Sequence, residues 1–168
     1  MGVLGNEARA LQNPALGSVL LWKFSSSYYE THPYHSGPPL QLLFLVLPMV
    51  FQANIREVIL GTRKSSSLRA FTEKFSSSAL SSSDIVLSLQ NRIQRMKPLT
   101  AKSLHMIVSC GMVTIDSGSG TVIPSRARGL SQQLPAGVAP LARAAEYLGG
   151  WTSQLSLYEI AVNLRLFF

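Results

Sequence analysis

Apolar residues recur along this chain mostly at three- and four-residue spacings, which is the period of an amphipathic helix. The first such stripe follows Asn13-Pro14. This is a good helix start because asparagine can cap free amides and proline lacks the hydrogen that the first turn cannot use. The pattern predicts a helix over residues 14–27. Its apolar members are Leu16, Leu20, Phe24 and Tyr28.

Three further segments of the first half carry helical patterns. Residues 40–47 are apolar on all sides and are therefore predicted to be buried, with Pro48 capping or kinking the segment. Residues 54–60 predict a short helix closed by Gly61. Residues 68–75 place Leu68, Phe71 and Phe75 on one face of another helix.

The stretch from residue 83 to residue 124 predicts two helices and a hairpin. An apolar stripe predicts a helix over residues 84–96 that Pro98 ends, and a second stripe predicts a helix over residues 101–110 that Gly111 closes. The alternating, β-branched runs 112–115 and 121–124 flank the Gly-rich segment 116–120, which is a hairpin signal. Helix, turn, helix and hairpin is the order of a winged helix-turn-helix.

The last part of the chain follows a loop with Arg126 and Arg128. Residues 138–148 predict a helix ended by Gly149-Gly150, and residues 156–159 fit a capping box. Residues 164–168 are apolar and strand-like, so we expect this terminus to be packed. The fold class predicted is mainly α with a small β-hairpin (α+β). We expect a single domain over residues 1–168, with a winged helix-turn-helix-like unit at about residues 83–124.

Charge is scarce in this chain and unevenly distributed. The chain is 46% hydrophobic and only 14% charged, which favours a protein that covers apolar surface with partners. The net charge is +7, and residues 56–102 carry nine basic and three acidic residues, a net +6. Such a block is typical of contact with nucleic acid or an acidic protein surface, the alternative being a solvated basic face. The predicted contact residues are Arg56, Arg63, Lys64, Arg69, Arg92 and Arg95.

Motifs for catalysis or cofactor binding do not emerge from the sequence. There is no phosphate-binding loop and no Gly-x-Ser-x-Gly nucleophile elbow. His32 and His35 are close in sequence, but no further metal ligand stands near them. Cys110, the only cysteine, has apolar neighbours and is predicted to be a small buried hydrophobe in a reducing compartment. The sequence therefore predicts a non-enzyme without cofactor or metal.

Two other classes of function receive little support. The longest apolar stretch, residues 40–51, is too short for the roughly 20 residues that cross a bilayer, and the first residues lack a secretion signal. We therefore expect a cytoplasmic chain without membrane contact. If Ala101, Leu104 and Val108 face the core, the second helix of the winged unit exposes only one strong cation, Lys102. Sequence-specific DNA reading is disfavoured, whereas contact with DNA phosphates stays open.

Several collinear segments resemble the middle component of bacterial three-component ABC-ATPase (ABC-3C) systems, as in Lamassu-type anti-phage defence. The resemblance spans nearly the whole chain and rests on residues 13–16, 39–48, 56–57, 62–66, 99–100, Gly111, 144–151 and 158–160.

The resemblance implies a non-catalytic adaptor beside an SMC/Rad50-like coiled-coil ATPase subunit and an effector subunit, often a nuclease. It implies a link between sensing of foreign DNA ends and effector release, with possible non-specific DNA contact within the complex. The rival hypotheses are a free-standing winged-helix DNA-binding regulator and a toxin- or antitoxin-like small protein. A regulator should form a homodimer on a palindromic site, whereas an adaptor should be rescued from poor solubility by its ATPase.

Overall fold

The computed structural model of the protein describes residues 13–77, 82–125 and 134–166, with the backbone alone for residues 82–87. It is a helical assembly with one two-stranded antiparallel sheet, so the predicted α+β class is confirmed. In chain order the elements are α1 (Pro14–Thr31), α2 (Leu40–Val50), α3 (Ala53–Leu60), α4 (Leu68–Ser77), α5 (Ser82–Ser109), β1 (Val113–Asp116), β2 (Thr121–Pro124), α6 (Ala139–Thr152) and α7 (Leu157–Leu164).

Helix α1 is the centre of the core. It begins where the sequence predicts, with the side chain of Asn13 accepting a hydrogen bond from the amide of Ala15 at 2.9 Å. It packs against α6 and α5, and also contacts α2 and β2. Contact on several sides explains why its apolar stripe is accompanied by buried small residues, among them Ser18 and Ser25. These leave room for close approach of the neighbouring helices, and α1 extends one turn beyond the predicted end.

The close approach of α1 and α6 corrects the prediction that Gly149-Gly150 ends a helix. Helix α6 runs through both glycines to Thr152. A Cβ atom added at Gly149 would overlap the carbonyl oxygen of Phe24 on α1. Gly149 is thus a packing position inside the helix, where the backbone of α1 occupies the space of a side chain.

Helix α5 is continuous, so the turn predicted at Pro98 is wrong. A proline inside a helix leaves one carbonyl without its amide donor. Pro98 is exposed, so water can reach this part of α5. On its other side α5 buries Ile93, Leu104 and Ile107 against α1 and α2, and Thr100 lies in the same stripe. Burial on both sides of the proline holds the two predicted helices in one line.

Helices α2 and α3 follow the predicted apolar segments closely. The prediction of burial for residues 40–47 is confirmed, but Pro48 neither begins nor ends α2, which continues to Val50. Gly61 closes α3 as predicted. Within the described residues no single helix has the length and apolar character needed to cross a membrane. Helices α2 and α3 reach that length only as a pair, bent by 102° at the break between them.

The predicted hairpin is confirmed, although its first strand begins and ends one residue later than predicted, with Val113 opposite Pro124 and Asp116 opposite Thr121. Gly111 adopts a positive φ of 67°, which turns the chain out of α5 as the sequence predicts. Strand β2 also meets the segment before α2, because the amide of Val122 donates to the carbonyl of Pro38 at 2.9 Å. The hairpin is therefore attached to the helical core. Arg126 and Arg128, predicted to lie in the following loop, are outside the described residues.

The C-terminal region ends in a helix, and the strand-like prediction for residues 164–168 is wrong where the structure describes it. The capping box is confirmed: Ser156 and Glu159 satisfy each other's backbone amides at 2.8 and 3.2 Å. Leu164 is the last residue of α7, and Arg165 ends the helix in the left-handed conformation. Leu166 is buried, in agreement with a packed terminus. Residues 167–168 lie outside the described residues.

Candidate partner-binding surfaces

A basic loop, residues 62–67, connects α3 and α4 and carries Arg63 and Lys64. Its first residue is buried, and the hydroxyl of Thr62 donates to the carbonyl of Val58 at 2.8 Å. The amide of Ser66 donates to the carbonyl of Arg63 at 2.9 Å. From α4, the ammonium of Lys74 donates to the carbonyl of Gly61 at 2.9 Å, just before the loop. These bonds give the loop a defined backbone although its tip is exposed.

The indole of Trp151 fixes the same loop from the α6 side. Its Nε1 donates to the carbonyl of Lys64 at 3.1 Å. The ring is buried and stacks on Phe71 of α4 with 6.0 Å between ring centroids, and Phe71 in turn stacks on Phe75 at 5.6 Å. An aromatic cluster thus joins α4 to α6 and positions the loop above it.

The structure sorts the four predicted cations of α3, α4 and the basic loop into engaged and free groups. Arg56 donates from Nη1 to the carbonyl of Val50 at 3.0 Å, at the end of α2. Arg69 forms an exposed ion pair with Glu73, with 3.1 Å between Nε and Oε1. Arg63 and Lys64 are exposed, and neither forms an ion pair with any side chain that the structure describes. These two cations are the ones directed to solvent with their charge uncompensated.

Arg92 and Arg95 lie on α5, whose main contacts are with α1 and α2. They belong to a different element from the four predicted cations of α3, α4 and the basic loop. Burial lowers the pKa of Arg92, and the neighbouring positive charge of Arg95 lowers it further. The Nε atom of Arg92 is buried and finds no hydrogen-bond partner among the described residues. Arg92 is thus partly withdrawn into the protein, whereas Arg95 is exposed.

The residues considered for metal or thiol chemistry have structural surroundings. Nδ1 of His32 accepts hydrogen bonds from the amides of Tyr34 and Ser36 at 3.2 and 3.3 Å. His35 bonds through Nδ1 to the carbonyl of Tyr29 at 3.1 Å. Within the described residues no three His, Cys, Asp or Glu side chains come together as a metal site would require. Cys110 is exposed, so the prediction of a buried hydrophobe is wrong; Val108 and Ser109 before it are exposed too, because the end of α5 faces solvent here.

The geometry expected of a winged-helix DNA reader is not confirmed. The hairpin follows one long helix, and β2 pairs with the segment before α2. Of the three residues considered as core-facing on the second predicted helix, Leu104 is buried, whereas Ala101 and Val108 are exposed. Ser103 is instead fully buried against α1, where the hydroxyl of Ser18 donates to its carbonyl at 3.0 Å. Thr100 and Ser103 therefore share the buried stripe of α5 with Leu104 and Ile107, and Ser103 lies against Gly17 near the start of α1.

An apolar groove between α2 and α5 is a feature that the sequence did not predict. Its volume is about 300 Å³, and Leu166 also lines it. A shallower apolar face of α7 continues from it, sharing Gln41 and Leu166 as lining residues. On this face Tyr158 is 77% exposed and Val162 57% exposed. The sequence indicated this groove only through residues 40–47, which are apolar on all sides although burial of one helix face needs apolar residues on that face alone.

Comparison with known proteins identifies the family. The family model of the ABC-three component (ABC-3C) system Middle Component 3 matches residues 1–167 of the chain. The chain matches no curated protein and no solved structure. The match covers the basic loop, the aromatic cluster, the hairpin and the apolar groove alike, in agreement with the resemblance seen in the sequence. The chain therefore belongs to the family of ABC-three component system middle components, Middle Component 3.

Proposed function

We propose that this chain is a non-catalytic adaptor subunit of a bacterial anti-phage defence complex of the Lamassu type. It links an SMC/Rad50-like coiled-coil ATPase subunit to an effector subunit, such as a nuclease. Membership of the middle-component family supports a place beside an ABC ATPase. The observation that carries the adaptor role is the basic loop, which presents Arg63 and Lys64 from a backbone held by α4 and α6.

A loop whose backbone is already fixed favours binding, because it does not have to become ordered when the partner binds. Immobilising a flexible segment costs association free energy, and a preformed segment avoids that cost. Two uncompensated cations on such a loop would meet either an acidic face of the ATPase or a DNA backbone within the assembled complex. The paired cations Arg56 and Arg69 would contribute less, because each already has a partner in the chain.

The test is co-expression of the chain with the ABC-type ATPase component of its own system, followed by affinity purification through a tag on the chain. We expect the ATPase to copurify with the natural chain. Arg63→Glu combined with Lys64→Glu should weaken the complex by about tenfold or more, since each reversal replaces an attraction by a repulsion. The matched control combines Lys102→Glu with Arg143→Glu, which changes the net charge equally at exposed sites on α5 and α6.

Binding of DNA by the assembled complex separates the two partners of the loop. If the loop contacts DNA, the double variant should lower affinity similarly for all sequences and reduce the salt dependence of binding. If it contacts the ATPase, copurification should fall and DNA binding by the remaining complex should not. Equal behaviour of the loop variant and the control in both assays would contradict a contact role. A homodimer that binds a palindromic DNA site without the ATPase would favour the regulator.

A further inference from the structure

The groove between α2 and α5 has the form of a trough for a third helix. One wall comes from Leu40, Phe44 and Leu45, and the other from Ile93 and its neighbours on α5. The lining of α5 extends from Gln90 to Lys97, which is about 10 Å at 1.5 Å per residue, or two helical turns. The α2 wall, residues 40–45, spans about one and a half turns, so the two walls match the contact length of a short amphipathic helix laid into a groove.

The charges around the groove indicate which kind of helix fits. Lys97 lies on its α5 wall, and Arg165 lies beside it on the adjoining α7 face. Both side chains are exposed. Aspartate and glutamate are absent from the described residues that line the groove and this face. The carboxylate of Glu159, on the same helix as the α7 face, accepts bonds from the amide and hydroxyl of Ser156. The groove therefore offers positive charge next to apolar surface.

This pattern disfavours a second copy of the chain as the occupant. A twofold contact through this face would bring the same cations of both copies into one interface, and like charges there are repulsive. The α7 face would present Tyr158 and Val162 but no free carboxylate to answer Lys97. A net charge of +7 adds to the repulsion between copies.

We propose that the groove between α2 and α5 binds one amphipathic helix of another component of the ABC-three component system. This helix carries an apolar stripe at positions i, i+3 or i+4, and i+7, with glutamate or aspartate beside the stripe to meet Lys97 and Arg165. The inference rests on the proposed adaptor function and specifies the chemistry of one contact that the adaptor makes. It concerns a surface distinct from the basic loop.

A photo-crosslinking amino acid at Gln94, on the exposed rim of the groove, tests this in the complex purified with the co-expressed components. We expect a crosslink from Gln94 to an amphipathic, acid-flanked helix of a partner component, and none to that helix from the same group at Lys102, which is exposed on α5 outside the groove. A product of two copies, or a crosslink within one chain, would overturn the proposal and identify a different occupant. An assembled complex without a groove crosslink would overturn it while leaving the adaptor function standing. Failure to assemble any complex would contradict the adaptor function itself, and the groove proposal with it.

Charge reversal gives an independent measurement. Lys97→Glu should weaken partner binding about fivefold at low salt, and the difference should shrink as salt rises to about 1 M. Lys102→Glu should leave binding unchanged. A partner variant with lysine at the crosslinked acidic position should bind the Lys97→Glu chain again, and it should not bind the natural chain better than the unchanged partner does. A loss that is independent of salt, or that no partner lysine restores, would overturn the charge assignment.

Discussion

Replacing Gly149 with alanine should force α1 and α6 apart and destabilise the protein. The added methyl group would overlap the carbonyl oxygen of Phe24 and lie 3.0 Å from the amide nitrogen of Tyr28. Both atoms belong to the backbone of α1, so a rotamer change cannot relieve the overlap. The two helices must separate, and a gap of 0.5–1 Å already forfeits about a quarter to a half of each dispersion contact across the interface.

The magnitude follows from two opposing effects. Overpacking costs about 1–3 kcal/mol, and the value here belongs at the upper end because the obstacle is backbone. Alanine in a helix interior gains about 1 kcal/mol over glycine. The polar contacts between the helices would also be stretched, including the 2.7 Å bond from the hydroxyl of Ser27 to the carbonyl of Glu146. We therefore expect a net loss of about 2 kcal/mol, which lowers the melting temperature by roughly 4–8 °C for a chain of this size.

Gly150 provides the matched control, because it precedes Trp151 in the same helix and faces a more open space. A Cβ atom there would lie 3.6 Å from the hydroxyl oxygen of Ser27, an ordinary contact. Gly150→Ala should stabilise the protein by up to about 1 kcal/mol through helix propensity. The assay is urea unfolding of the three proteins followed by circular dichroism. Equal stability of the two variants would refute the close approach of α1 and α6 at Gly149.

Four further substitutions test other parts of the fold and the loop. Pro98→Ala should stabilise the protein by about 1–3 kcal/mol in urea unfolding because it restores an amide donor to a continuous α5, whereas a turn at Pro98 would make the change destabilising by about 0.4–1 kcal/mol. Ser156→Ala should cost about 1 kcal/mol by removing the helix cap. Hydrogen bonds from Ser156 lower the pKa of Glu159. The stability that the Glu159 carboxylate contributes is therefore present above the ordinary carboxyl pKa and is lost as the pH falls through the lowered pKa. Glu159→Gln should make the free energy of unfolding fall less steeply at low pH, and an unchanged dependence on pH would argue against the capping box. Trp151→Phe removes the hydrogen bond to the carbonyl of Lys64 and should lower the free energy of unfolding by about 1–3 kcal/mol. It should also weaken copurification of the ATPase although both loop cations remain. Unchanged copurification with a folded Trp151→Phe protein would show that binding does not need the loop to be fixed by Trp151.

The helical framework could be predicted because it depends on local patterns. The asparagine cap of α1, the glycine at the end of α3 and the Ser156 capping box each act within a few residues. The hairpin followed from alternation and a Gly-rich turn in the same way. Two of the errors arose where a distant contact outweighed a local signal. Gly149 meets the α1 backbone, and burial on both sides of Pro98 keeps α5 in one piece.

The candidate surfaces were less accessible to sequence reasoning. The sequence shows where the cations cluster. It does not show that Arg56 and Arg69 are engaged within the chain while Arg63 and Lys64 form no ion pair with any side chain that the structure describes. The bond from Trp151 to the loop spans 87 positions in sequence, and no local pattern announces it. The groove forms only when α2 and α5 meet, so its apolar walls looked like ordinary core. The continuity of α5 could have been predicted, because its apolar residues keep the same helical spacing before and after Pro98.

The most direct test of the adaptor account is an omission experiment on the reconstituted system. The ATPase and effector components are purified with a tag on the ATPase, in the presence and absence of this chain. The account predicts that the effector copurifies with the ATPase when the natural chain is present, and that it is lost when the chain is omitted or carries Glu at both Arg63 and Lys64. Stable association of ATPase and effector without this chain would contradict the claim that it joins them.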